Sequence, residues 1–192
     1  MDLLILGLVL FLGIHSVRIV ADGARTRFIA ARGANAWKGL YSLVSAVGLA
    51  AIIWGYGVAR TQPVVLWSPL PGMAHLAAVL TLLAFILMVA VYVPGNAIKA
   101  RLHHPMVLSV KVWALAHLLA NNTLADLLLF GGFLSWAVLS LRAARQRDRS
   151  NAVSYPPGRL APTLITAAIG AAAWVAFALW LHALLIGVRP LG

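Results

Sequence analysis

The chain has 192 residues, of which 62% are apolar and 10% charged, with a mean hydropathy of +0.94; soluble domains carry about 25% charged residues to cover their surface, so one compact helical membrane bundle is expected. Cysteine and glutamate are absent and the only acids are Asp2, Asp22, Asp126 and Asp148, which excludes disulfides and thiolate sites and leaves no paired carboxylates for a hydrolase or di-iron centre. The net charge of +11 comes from fifteen Lys/Arg in short clusters between apolar runs, the pattern of membrane topology rather than a contiguous phosphate-tracking face, so no nucleic-acid partner is expected.

A spanning helix needs about 20 mostly apolar residues. The first predicted span runs from Leu3 to Val20. Met1-Asp2-Leu3 lacks the basic start of a signal peptide, and Arg18 follows the apolar run, so this segment is expected to stay as a helix. A basic stretch with Arg25, Arg27, Arg32 and Lys38 reads as an amphipathic interfacial turn. The second span is Trp37 to Val58. A Pro-rich connector follows, from Arg60 through Pro63, Pro69 and Pro71 to Gly72, with Trp67 suited to an interfacial anchor. The third span, Ala74 to Val93, stops at Pro94-Gly95-Asn96.

The next connector carries Lys99, Arg101, His103 and His104. A fourth segment starts at Pro105, a good first-turn proline, and runs to Ala120. Asn121-Asn122-Thr123 breaks it, and a fifth helix starts with Asn122 or Thr123 as cap and Asp126 in its first turn. That helix ends in Arg142, Arg145, Arg147 and Arg149. A polar linker, Ser150 to Pro162, leads to a last span, Thr163 to Val188. The fold class expected is all-α: a polytopic transmembrane bundle of about six helices.

Charge sets the orientation. Connectors after segments one, three and five hold nearly all the Lys/Arg, whereas those after two and four hold only Arg60, which puts the N-terminus outside. The fourth segment is the anomaly, since from Lys111 to Asn121 the chain spans roughly 15 Å at the helical rise. Its polar hairpin with segment five must find hydrogen bonds in protein, because lipid offers none.

Ionisable residues inside a membrane are expensive, so their positions carry the most information. His15 and His117 lie inside apolar segments. His15 has Arg18 and Asp22 on its helical face; it reads either as bonded to a backbone carbonyl or as a ligand or proton-handling group. His117 has Trp113 and Asn121 on its face, which suits a cofactor-pocket wall or an interhelical hydrogen-bond cluster. Two neutral imidazoles without a nearby carboxylate or thiolate suit the axial positions of a haem iron, whereas a catalytic zinc site wants a third ligand. Arg18, Lys99, Arg101 and Lys111 lie at a level where haem propionates need cations, although topology alone also explains them. Gly39, Ser42, Ser45 and Gly48 read as helix packing, Trp174, Trp180 and His182 as packing or interface anchors, and Tyr56 and Tyr92 as aromatic belt residues.

Several stretches together carry a family resemblance: Gly13-Ile14-His15-Ser16, Trp37-Lys38-Gly39-Leu40-Tyr41-Ser42, Tyr92-Val93-Pro94-Gly95-Asn96, and Leu102-His103-His104-Pro105-Met106 leading to Lys111-Val112-Trp113-Ala114-Leu115-Ala116-His117. Over residues 3–150 the chain resembles the NnrU family, related to the plant and cyanobacterial 15-cis-ζ-carotene isomerase. The division implied is an NnrU-like core of five helices at 1–150, with a linker and C-terminal helix at 151–192. The resemblance implies a membrane enzyme holding haem b and isomerising a cis double bond in an apolar polyene that enters from lipid. His15 and His117 match the positions used for the iron, and His104 matches the histidine of an Arg-His-Pro motif, with His103 here in place of the arginine. The cofactor-binding set expected is thus His15, His117, Arg18, Trp113, Asn121, His104 and Lys111, with His15 and His117 on the metal. Catalytic residues beyond these are not assigned.

Bacterial members are associated with nitrite and nitric oxide metabolism, so a non-enzymatic haem protein in a bacterial inner membrane is the alternative, as is an assembly factor without cofactor. His104-Pro105-Met106 is also similar to isoprenylcysteine carboxyl methyltransferases. The absence of glutamate and of their C-terminal cofactor element weighs against that activity.

Overall fold

The computed structural model describes residues 1–68 and 70–191; Pro69 of the Pro-rich connector lies outside them. In chain order the helices are α1 (Asp2–Val20), α2 (Asp22–Arg32), α3 (Ala34–Ala59), α4 (Met73–Ala90), α5 (Ala97–Leu102), α6 (Pro105–Ala120), α7 (Leu124–Ser150) and α8 (Leu160–Ala176). A π-helical turn, Phe177–Leu181, joins α8 to α9 (His182–Ile186). Among the described residues, pairing outside helices is limited to the isolated bridges Val65–Thr123 and Asn96–Arg159. The fold is an all-α transmembrane one. Five helical runs are long and apolar enough to cross a bilayer: α1, α3, α4, α7 and the continuous stretch Leu160–Ile186. α6 has 16 residues, roughly 24 Å at the helical rise, which falls short of a hydrocarbon core of about 30 Å. Large apolar side chains such as Val9, Ile53, Trp54, Leu164 and Leu184 are exposed, as lipid-facing positions are.

The basic stretch after α1 is a full helix of 11 residues, α2, where sequence indicated a turn. α1 ends at Val20, so Asp22 opens α2 and pairs with Arg25 at 3.4 Å instead of continuing the face of His15.

The chain forms two compact units, Met1–Ser68 with Asn122–Ser140, and Pro69–Asn121 with Leu141–Gly192. In the first, α1 lies against α3 at backbone contact distance. A Cβ added to Gly55 would stand 2.3 Å from the Leu4 nitrogen, one on Gly7 2.6 Å from the Ile52 nitrogen, and one on Gly48 2.7 Å from the Phe11 nitrogen. Small residues allow this approach, which is how helices associate where lipid removes the hydrophobic drive. Of the two glycines singled out on α3, Gly48 belongs to the tight contact and Gly39 faces open space. The true ridge is Gly48, Ile52 and Gly55.

In the second unit the Pro94-Gly95-Asn96 turn organises the packing. Buried Asn96 (1% exposed) donates to the Ala90 and Val93 carbonyls and accepts from the Lys99 amide at 2.8 Å, capping α5. The start of α8 docks on the same turn: the Arg159 amide donates to the Gly95 carbonyl and the Ala97 amide to Thr163 Oγ1. Two further bonds tie helices to α4, Ser109 Oγ to the Ala84 carbonyl from α6 and Trp174 Nε1 to Thr81 Oγ1 from α8.

Replacing Gly55 by Val should destabilise the protein by about 1–3 kcal/mol through overpacking, while Gly57→Val, where the added atoms meet open space, should be nearly neutral. Thermal unfolding in detergent checks this; equal effects at the two positions would show that α1 and α3 do not touch at backbone distance.

Candidate functional site

The two intramembrane histidines share one local geometry. In the first unit His15 Nδ1 lies 2.6 Å from the Phe11 carbonyl, and the imidazole stacks on the Phe11 ring with centroids 4.2 Å apart. In the second, His117 Nδ1 lies 2.9 Å from the Trp113 carbonyl, with the Trp113 ring 5.1 Å away. Each histidine therefore bonds the residue one helical turn earlier, and that residue is aromatic. A carbonyl only accepts, so Nδ1 must carry the hydrogen, and in the neutral ring the lone pair sits on Nε2. A backbone bond on one ring nitrogen fixes the tautomer and raises the basicity of the other, the usual preparation of a metal-ligating imidazole.

Around His15 the ring contacts extend to α3 and α7. Tyr41 lies 4.9 Å away and Trp136 stands edge-on at 6.0 Å. Tyr41 also lines a cavity of about 290 Å³ between α2 and α3, together with Arg25, Trp37, Lys38 and Ser42. Sequence assigned Arg25 and Lys38 to an interfacial segment and Ser42 to packing, because the pocket exists only once α2 folds as a helix beside α3. In the same unit Trp136 Nε1 and Ser45 Oγ are buried without a hydrogen-bond partner.

Around His117 the polar stripe expected from spacing is present. Asn121 is the extended residue that ends α6, and its side chain donates back to the His117 carbonyl at 2.8 Å, which keeps it beside Trp113 and His117. Lys111 is half-buried on the same helix and Arg18 is exposed at the end of α1. His104 sits elsewhere in its unit, as the residue preceding α6, with Nε2 2.8 Å from Asp148 Oδ2. Tyr155 also donates to Asp148, at 2.9 Å, and stacks on His103 with centroids 4.0 Å apart. Burial first, then the Asp148 carboxylate, raise the Tyr155 phenol above its ordinary range, which keeps it a donor. His15 belongs to the first unit and His117 and His104 to the second.

One polar cluster was not apparent from the sequence. Asp126, only 5% exposed, accepts from Tyr56 OH at 2.5 Å, from the Thr123 hydroxyl at 2.5 Å and from the Thr123 amide at 3.1 Å. The Thr123 contacts are the expected cap of α7. Tyr56, read from the sequence as an aromatic-belt residue, is half-buried and donates to this carboxylate. The polar hairpin is satisfied by protein as required, with the Leu66 amide on the Asn122 carbonyl and the Leu124 amide on the Val64 carbonyl. The hint in the sequence was Asp126 itself, an acid in an apolar segment that must have a donor.

Among the described residues no three His or Asp side chains are grouped to hold a metal ion, so the donor set offers single imidazoles. Long apolar helices carrying tautomer-fixed histidines define a polytopic helical membrane protein. The chain belongs to the NnrU family: the family model described as NnrU protein matches residues 3–190. The match runs through the last helix, beyond the 3–150 stretch that carries the recognisable motifs. No curated protein and no solved structure matches the chain.

Tyr56→Phe and Asp126→Ala should each destabilise the protein by about 1.5–3 kcal/mol, the range for hydrogen bonds to charged groups. The double variant should lose clearly less than the sum. Additive losses in a double-mutant unfolding cycle would show that the two side chains are not paired.

Proposed function

We propose that this NnrU protein is an integral membrane haem b protein of a bacterial inner membrane, with the imidazoles of His15 and His117 as iron ligands. The observation that supports this most is the shared histidine geometry: in both, Nδ1 is committed to the helix's own backbone and Nε2 holds the lone pair. The buried Trp136 Nε1, unpartnered and edge-on to His15, fits a neighbourhood completed by a further group, since an unsatisfied buried donor costs roughly 1–3 kcal/mol. Arg25 and Lys38, on the cavity lined by Tyr41, whose ring lies 4.9 Å from His15, are suitable cations for propionate carboxylates, in addition to Arg18 and Lys111.

The finer reading is a cis–trans isomerase acting on an apolar polyene. Bound haem would supply the electronic means of weakening a double bond. The chain's own residues would bind and orient: a polyene without polar groups partitions into lipid and reaches the protein through its exposed apolar helix faces. Asp126 is committed to Tyr56 and Thr123, and Asp148 to His104 and Tyr155.

Purified from haem-replete cells, the protein should show a Soret band that shifts on reduction with dithionite. His15→Ala and His117→Ala should each abolish or shift it. A shifted band in a single variant keeps that residue in the ligand set; a band indifferent to one of them removes that residue from the set. Colourless protein overturns the haem reading. Expression in cells accumulating cis-ζ-carotene separates the finer reading: an unchanged isomer profile with an intact Soret band identifies a haem protein without isomerase activity.

A further inference from the structure

The second unit contains a cleft whose lining includes His103 but neither proposed iron ligand, His15 or His117. It has a volume of about 410 Å³ and lies where the end of α5 meets the end of α7, lined by Arg101, Arg145 and Arg149 with Leu102 and Val153. Arg145 and Arg149 are one turn apart on α7 and so share a face. Topology alone accounts for cations at this end of the helices, but not for what each one does. Lys99, from the same connector, donates to the Val91 carbonyl at 3.1 Å. Asp148, the one carboxylate lining the cleft, is drawn to His104 Nε2 and to the Tyr155 hydroxyl. Tyr155 in turn holds the His103 ring by stacking. Three arginines thus line one cleft, and the single acid on its wall is already engaged by His104 and Tyr155.

We propose that this cleft binds a phosphate monoester or diester, the arginines donating in pairs to its oxygens. Guanidinium forks match phosphate geometry and bind it bidentately, which an ammonium does not do. Leu102 and Val153, 40% and 46% exposed, give the cleft an apolar lip beside the charges. The combination suits the phosphate of an anionic amphiphile, a headgroup above and an alkyl or glycerol portion below. A free phosphate ester shares the chemistry of the upper part. The proposal stands independently of haem binding.

The test uses the full chain in neutral detergent, with the thermal unfolding midpoint measured against added phosphatidylglycerol, phosphatidylcholine or inorganic phosphate at matched ionic strength. Phosphatidylglycerol should raise the midpoint and phosphatidylcholine should not. Arg145→Gln/Arg149→Gln should raise the half-maximal concentration roughly tenfold, a change of about 1.4 kcal/mol. Arg27→Gln/Arg32→Gln, which removes the same charge from α2, should leave it unchanged. Arg145→Lys/Arg149→Lys keeps the charge and should still weaken the response, so the proposal stays testable if the glutamine pair does not fold. Stabilisation by phosphatidylglycerol alone identifies a lipid headgroup, and stabilisation by inorganic phosphate as well identifies the phosphate itself as sufficient. No stabilisation by either, or an equal loss in the α2 control, overturns the proposal.

Discussion

Hydrocarbon supplies no hydrogen bonds, and this constraint shapes nearly every polar contact in the protein. The recurrent answer is for a side chain to bond back to its own helix. Ser16 donates to the Leu12 carbonyl, Thr166 to Pro162, His15 to Phe11, His117 to Trp113 and Asn121 to His117. A helix satisfied in this way needs no polar partner from its neighbour. Interhelical contact can then be made by glycine and small apolar residues, as at Gly7, Gly48 and Gly55. The same device that makes the segments compatible with lipid also sets the rotation of both imidazoles.

It follows that the structural and the functional reading of each intramembrane histidine are not rivals. A bond to a backbone carbonyl uses Nδ1 and a metal uses Nε2, so the first prepares the second. What distinguishes His15 and His117 from His182 is their surroundings. His182 Nδ1 contacts the Val188 carbonyl at 2.7 Å at an exposed chain end, whereas His15 is enclosed by rings from three helices.

The long helices were legible in the sequence because an apolar run of spanning length has no other soluble or surface use. The shortness of α6 was legible too, from the position of Lys111 relative to Asn121. α2 was not, since its composition is polar and its helicity depends on packing against α3, where Phe28 meets Trp37 with centroids 5.8 Å apart. Pairings between residues far apart in sequence were equally hidden. Nothing local in Tyr56 points to Asp126, and nothing in His104 points to Asp148. The stripe of Trp113, His117 and Asn121 was readable because helical periodicity alone sets it. Its aromatic counterpart around His15 was not, because Tyr41 and Trp136 arrive from other helices.

The polar groups of the two sites are of physically different kinds. Trp136 Nε1 and Ser45 Oγ are buried, where an unmade hydrogen bond is a standing penalty that evolution would remove by substitution with Phe or Ala unless something relieves it. The guanidinium groups of Arg101, Arg145 and Arg149 are exposed, and water satisfies them at little cost. Exposure therefore says nothing by itself about a ligand there; convergence on one cleft and the diversion of Asp148 carry that inference. The indole and hydroxyl need no such convergence, since burial alone makes their unmade hydrogen bonds costly. The two sites thus rest on independent physics, desolvation for one and electrostatic geometry for the other, and the first can fail without touching the second.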